Sequence, residues 1–397
     1  MRTRDFLLLF GQGQRYLLND TFTNPFAAGS VNGTKSDTYA TRTVTDAENK
    51  LSITGGLLTF AGGKATPAWG DPGIWWPGLP FYPGILMIAS VTPTATNVQF
   101  QVGFDINTSG QIMDGICFRN SPVLQPLIDA TLGPVVASYA IGNYQVAIVL
   151  RSSGTFYFVK GGSFLTWTLI WTSITPLHSG SVYPSIAGLQ AIFTADNIRV
   201  PKQLYIPAPL ESDGFSSATT NGLGNAENNG PVGHAFTNIG TWGVAGGVRS
   251  CSVLDGTIGL SYLPCSSSNV IIDAVCTRSA GVTGIVARYI SPTNYLIAYL
   301  DGTNAKLDKV EAGGTTNLIS AAVTYGAAKV LRLSLDDTSA RLYYDNLAVG
   351  SVATTPVAGG LGHGLYTTDV GATFDNLIVW AKGNEGQYSG LDQFSNP

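Results

Sequence analysis

Short apolar runs with polar breaks between them fill the second half of the chain: "NVIIDAVC", "TGIVARYI", "NYLIAYL", "AKLDKV", "KVLRLSL" and "ARLYYDN". Each is rich in β-branched or aromatic residues, and Gly, Asn, Asp or Pro stands between many of them, the mark of strands joined by turns. In "KVLRLSL", Leu331, Leu333 and Leu335 share one side while Arg332 and Ser334 share the other. A period of two predicts a strand with one buried face. Asp336, Asp337, Thr338 and Ser339 supply turn residues, and "ARLYYDN" returns as the next strand.

The first half repeats the pattern. "GICFR" (115–119) parallels "GIVAR" (284–288), and "VAIVLRSSGTFYFVKGGS" parallels "LRLSLDDTSARLYYDNLAVGS" as strand, polar turn, strand and Gly exit. "NDTF" (19–22) and "SDGF" (212–215) open the two halves, and "FTADNIRVP" and "ATFDNLIVW" close them. Opening and closing aspartates lie 176 residues apart in the first half (196 − 20) and 162 in the second (375 − 213). The pattern predicts two tandem copies of one all-β domain. The expected divisions are an N-terminal arm over 1–18, a first sandwich over 19–203, a Pro-containing linker over 204–212, a second sandwich over 213–382 and an irregular tail over 383–397.

Composition agrees with strands. Charged residues make up 12% of the 397, against about 25% in an average globular chain, and only five residues are Glu. Helix surfaces draw on Glu, Lys and Arg, which are scarce here. The net charge of −4 speaks against a nucleic-acid surface. The run Phe6, Leu7, Leu8, Leu9, Phe10 is shorter than the roughly 7–15 apolar residues of a signal sequence. No stretch approaches the roughly 18 that span a membrane. Manufacture without secretion is the expectation. Cys117, Cys251, Cys265 and Cys276 are too few for a disulfide framework and read as small buried hydrophobes. A Cys251–Cys265 or Cys265–Cys276 bridge is the alternative.

The order of an Asp-x-Phe opening, "GIVARY…NYLIAYLDG", "KLDKVEAGGTTNLIS", a "LRLSL…ARLYYDN" hairpin and a closing "FDNLIV" resembles the concanavalin A-like, laminin-G-like jelly roll. The second half matches over most of its length; the first is more divergent, with an inserted aromatic segment. The resemblance implies two antiparallel β-sandwiches. It leaves function open, because lectins, glycanases, adhesion modules and virion proteins share the fold. It also implies that opening and closing strands lie side by side, bringing Asp20 to Asp196 and Asp213 to Asp375. Such pairs suit Ca²⁺, which takes six to eight oxygens. The alternative is that each Asp caps backbone N–H groups.

Catalytic signatures are missing. The Glu-x-Asp-x-Glu strand of the glycanase branch has no counterpart, and Glu48, Glu211, Glu227, Glu311 and Glu385 are dispersed. Asp308 and Glu311 fall on opposite faces of their strand. His178, His234 and His363 stand in separate polar stretches with no metal spacing. "GQGQR" and "GLGNAENNG" lack the Lys and the helix of a phosphate loop.

Two segments stand out as binding candidates. "PAWGDPGIWWPGLPFYPG" (67–84) carries Trp69, Trp75, Trp76, Phe81 and Tyr82 among prolines and glycines. It reads as a surface for a glycan or a protein partner, or as a plug sealing one sandwich. "FLTWTLIWTS" reads as a strand with Trp167 and Trp171 on one face. The arm residues Phe6–Phe10 read as an assembly device docking on a neighbouring copy or another virion protein, or else on their own domain. The function expected is a non-enzymatic structural protein of a phage virion, with host glycans as further partners. A free extracellular lectin is the alternative, and a glycan hydrolase with an unusual site the third reading.

Overall fold

The structure is a computed structural model describing residues 15–62, 68–106, 112–152, 154–173, 180–190, 192–217, 219, 222–227, 234–244, 251–253, 258–353, 357, 359–383 and 388–395. It is all-β: among these residues the only helical pieces are Ser389–Leu391 and Asp392–Ser395. Two compact units are present, one of residues 1–207 with 386–397, the other of residues 208–385.

Each unit is a sandwich of two antiparallel sheets. In the second unit one sheet runs, strand by neighbouring strand, Trp242–Val244, Cys251–Val253, Thr373–Ala381, Val270–Thr277, Lys329–Asp336, Ser339–Tyr344, Leu347–Val352, with Glu211–Asp213 also paired to Thr373–Ala381. The other runs Thr237–Ile239, Gly259–Pro264, Gly362–Thr367, Thr283–Ser291, Asn294–Leu300, Asn304–Glu311, Gly314–Ala322. The first unit repeats both orders position by position. Its first sheet runs inward from Phe164–Thr172 through Gly154–Gly161, Tyr144–Arg151 and Ile85–Pro93 to the closing strand Ile192–Pro201, which also pairs with Tyr16–Asp20. Residues 16–18, expected in the arm, therefore belong to a sheet.

The opening and closing phrases share backbone geometry as well. Phe22 and Phe215 both have φ near +50°, as do Asn197 and Asn376. The amides of the two phenylalanines donate to Asp20 and Asp213 across matching turns. Alternation places the cores: Leu331, Leu333 and Leu335 pack inside the second sandwich with Ile285, Ala287, Leu296 and Ala298. Arg332, on the other face, makes a two-pronged contact with Asp273 on the adjacent strand, Nε to Oδ1 at 2.6 Å and Nη2 to Oδ2 at 2.7 Å.

The expectation for "FLTWTLIWTS" is corrected. Tyr157 pairs with Trp171 but Phe158 with Leu169, so a bulge slips the register by one residue. Trp171 therefore points inward with Tyr157. Trp167 points outward with Phe158, and its indole N–H donates to Asp392 at 3.1 Å.

The tail is corrected too. Residues 388–395 belong to the first unit rather than trailing irregularly from the second.

Candidate functional site

The outward face of the second unit's seven-stranded sheet carries the best candidate. Register aligns Tyr295 with Val310, Ile297 with Asp308 and Tyr299 with Lys306; Tyr262 lies across from Gly364, and Leu260 from Tyr366. Inward neighbours Leu296, Ala298 and Leu300 belong to the core, so Tyr295, Ile297 and Tyr299 face out. With Leu260, Val286, Tyr289 and Tyr366 they form a separate aromatic cluster on that face.

Tyr289 joins it through a backbone irregularity. Strict alternation from Ile285 and Ala287 would bury Tyr289 in the core. The register slips between Val286 and Tyr289, with Arg288 at φ +47°, so Val286 and Tyr289 come out on the same face. The Arg288 side chain turns to the carbonyl of Ser268 and the side chain of Asn269.

The rings of Tyr262 and Tyr289 then stack at 4.3 Å and 27°, and Tyr295 follows 5.8 Å from Tyr289. Gly362 makes room: a Cβ there would meet Tyr262 Cδ2 at 2.8 Å and Tyr289 Cβ at 3.0 Å. A polar margin borders the rings. Tyr299 donates its hydroxyl to Asp308 Oδ2 at 2.8 Å, and Asn317 donates to Asp308 Oδ1 at 2.6 Å. Lys306 Nζ lies 6.0 Å from the Tyr299 ring centre and 2.7 Å from Asp301. Burial, then the neighbouring Tyr295 and Asp308, pushes the Tyr366 hydroxyl up to about 12. Burial and the bond to Asp308 push Tyr299 upward as well. Near neutral pH the Tyr299 and Tyr366 hydroxyls are therefore uncharged.

On the corresponding face of the first unit Trp69 covers a small apolar patch. There the aromatic insertion contributes the sheet strand Gly73–Trp75, whose Trp75 pairs with Ser185 and Thr43. Trp69 packs on Ile112, Cys117, Leu127 and Ala187. Trp75 is 8% exposed and Trp76 1%, which corrects the reading of these two as exposed ligand-binding rings. Trp69, Phe81 and Tyr82 are half-buried. Arm residues Phe6, Leu7, Leu8, Leu9 and Phe10 lie outside the described residues, as does His178.

The four aspartates do not assemble as two calcium pairs. Asp20 is fully buried and accepts from Arg42 Nε at 2.7 Å and Nη2 at 2.6 Å, from the Trp76 indole at 2.9 Å and from the Phe22 amide at 3.2 Å. A guanidinium already supplies the cation its carboxylate needs, so calcium does not fit there. Asp196 and Asp375 accept from the amides of Asn197 and Asn376 at 2.6 and 2.7 Å, the capping alternative. Asp213 accepts the Phe215 amide; burial, with Glu227 nearby, pushes it up to about 7. Among the described residues no group of three or more His, Cys, Asp or Glu side chains is placed to hold a metal.

His363 is wholly buried. The Arg288 amide donates to its Nδ1 at 3.3 Å, so the proton sits on Nε2, which donates to the Ser267 carbonyl at 2.9 Å. Burial holds its pKa down at about 4. His234 contacts the buried Glu211 through Nδ1. Cys117, Cys265 and Cys276 carry free, buried thiols, which removes both bridge alternatives.

No protein-family model and no curated protein matches the chain. Solved structures similar to it include carbohydrate binding module CBM66 from Bacillus subtilis, at 14% identity over 37% of this chain and 92% of that one, with a TM-score of 0.28. Galectin LEC-6 of Caenorhabditis elegans is 12% identical over 30% of this chain and 88% of its own, TM-score 0.25. Domains LG4-5 of the mouse laminin alpha1 chain are 10% identical over 94% and 92%, TM-score 0.21. These likenesses are too distant to bear on function; the fold is read from the strand order above.

Tyrosines 262, 289, 295, 299 and 366 were not singled out by pattern. Tyr295-x-Ile297-x-Tyr299 does alternate against the core residues between them, and that outward alternation of large rings is the signal available in the sequence.

Proposed function

We propose that the chain is a non-enzymatic carbohydrate-binding protein whose second unit holds a glycan against the tyrosine face. The observation that carries this is the half-buried Tyr262, Tyr295 and Tyr299 on the outer face of one sheet, with the buried Tyr289 stacked on Tyr262 as their support, bordered by Asp308, Asn317 and Lys306. Aromatic faces carry partial negative charge and attract the C–H-bearing faces of sugar rings, while fixed polar groups at the margin bind hydroxyls. Asp308 supports a binding role over a hydrolytic one. Glycoside hydrolysis takes two carboxyl groups roughly 5–10 Å apart, whereas both oxygens of Asp308 are engaged by Tyr299 and Asn317.

Isothermal titration against a panel of soluble oligosaccharides tests the reading. The intact protein is expected to bind at least one, and Tyr295→Ala to weaken that binding roughly fivefold, from the loss of about 1 kcal/mol of aromatic contact. No new reducing ends should appear on prolonged incubation. Binding that Tyr295→Ala and Tyr262→Ala both leave untouched would remove the tyrosine face from consideration. The virion role expected from the sequence has no described feature behind it and stands only as that expectation.

A further inference from the structure

Asp308, at the margin of the tyrosine face, is an acid without a cation. It is 7% exposed, close to Asp273 at 6% and Asp20 at 0%. Each of those two meets a two-pronged arginine, Arg332 and Arg42. Among the described residues no lysine or arginine pairs with Asp308. Around it Lys306 pairs with Asp301 and Lys309 with Glu311, which leaves Asp308 over.

The hydrogens beside Asp308 are already spent. Tyr299 gives its hydroxyl hydrogen to Asp308 Oδ2 at 2.8 Å. Asn317 gives its amide hydrogens to Asp308 Oδ1 at 2.6 Å and to the Ile319 carbonyl at 3.0 Å. This margin therefore offers a ligand acceptors only: the remaining lone pairs of Tyr299 Oη, Asn317 Oδ1 and Asp308 itself.

The rings add to the same sign. Register sets Tyr366 and Tyr299 on either side of Gly284, two strand spacings or about 10 Å apart. A Cβ at 284 would meet the Ala298 carbonyl oxygen, and Tyr299 Cα at 2.6 Å, so no side chain of the intervening strand stands between the two rings. Ring faces attract cations, most strongly where water is excluded. Tyr299 already draws one, Lys306 Nζ at 6.0 Å. Asp308 is close enough to add to burial in pushing the Tyr299 and Tyr366 hydroxyls upward.

We propose that the glycan held by this face is built of amino sugars with free, protonated amines, an ammonium seated against Asp308, Tyr299 and Tyr366 while the sugar ring lies on Tyr295. An ammonium has three donors and no acceptor, the complement of the margin. N-acetylation removes that charge, and a uronic acid brings an acid towards Asp308. The inference deepens the carbohydrate reading above and rests on it.

Isothermal titration of the intact protein tests it, with a glucosamine oligosaccharide, its fully N-acetylated counterpart and a glucose oligosaccharide of the same linkage and length. The glucosamine oligomer is expected to bind roughly tenfold more tightly than either of the others. Added salt should narrow the gap. Asp308→Asn should abolish the preference. Tyr299→Phe keeps the ring and loses the hydroxyl, and it should reduce the preference even if the Asp308 variant fails to fold. Equal binding of all three oligomers would overturn the inference and leave the glycan reading standing. Binding of none would overturn it as well, and the wider oligosaccharide panel then decides the glycan reading separately. A preference that both folded variants retain would also overturn the assignment to Asp308 and Tyr299.

Discussion

Asp20 and Asp213 occupy the same place in their units, each accepting the amide of a phenylalanine two residues on, yet their charges are handled differently. Arg42 and Trp76 surround Asp20 with donors. Removing one partner of a buried pair leaves the other uncompensated, so Arg42→Met is expected to cost about 3–5 kcal/mol, read by urea unfolding. Neither calcium nor EDTA should change that loss. Asp213 has no described arginine partner and its pKa is raised to about 7. A carboxyl raised on folding adds stability below its unfolded value, and that contribution is lost as pH rises through the folded one. Asp213→Asn removes this dependence. Its stability relative to the parent should therefore improve between pH 4 and pH 8, and a flat difference across that range would contradict the assignment. His363 acts in the opposite sense. Its depressed pKa favours the folded state above the unfolded value near 6.5, and that term fades as pH falls through about 4. The comparison must for this reason be made between variants and not on the parent alone.

At the scale of elements, single-residue register slips decide which side chains meet. The slip beside Arg288 moves Tyr289 from the core side to the outer side of its strand, and the slip near Ile170 separates Trp167 from Trp171. Gly362, on the neighbouring strand, keeps the space in which Tyr262 and Tyr289 stack. Gly362→Ala would drive a methyl group against the Tyr262 ring, and overpacking of this kind costs about 1–3 kcal/mol. The expected result is a lower melting temperature together with weakened glycan binding. Unchanged binding in a folded Gly362→Ala protein would show that the stack is not the recognition element. Alternation was legible wherever the strand is regular, as for Leu331, Leu333 and Leu335. It failed where a bulge inserts, because one extra residue inverts every later assignment.

Across the whole molecule the chain builds one strand order twice and then spends its two special segments on the first copy. Trp69 of the aromatic segment packs on the outer face of one sheet there, and the C-terminal segment is seated against the outer side of the other. By itself the sequence determined the all-β class, the repeated opening and closing phrases and the inward side of the regular strands. These depend on a period of two and on local turn chemistry, which are written in neighbouring residues. Only the tertiary structure decided that Trp75 and Trp76 are buried, that Arg42 answers Asp20, that Tyr289 joins Tyr262, and that residues 388–395 belong to the first unit. Each of those outcomes depends on register or on partners far apart in the chain, and such choices are settled by how whole sheets pack.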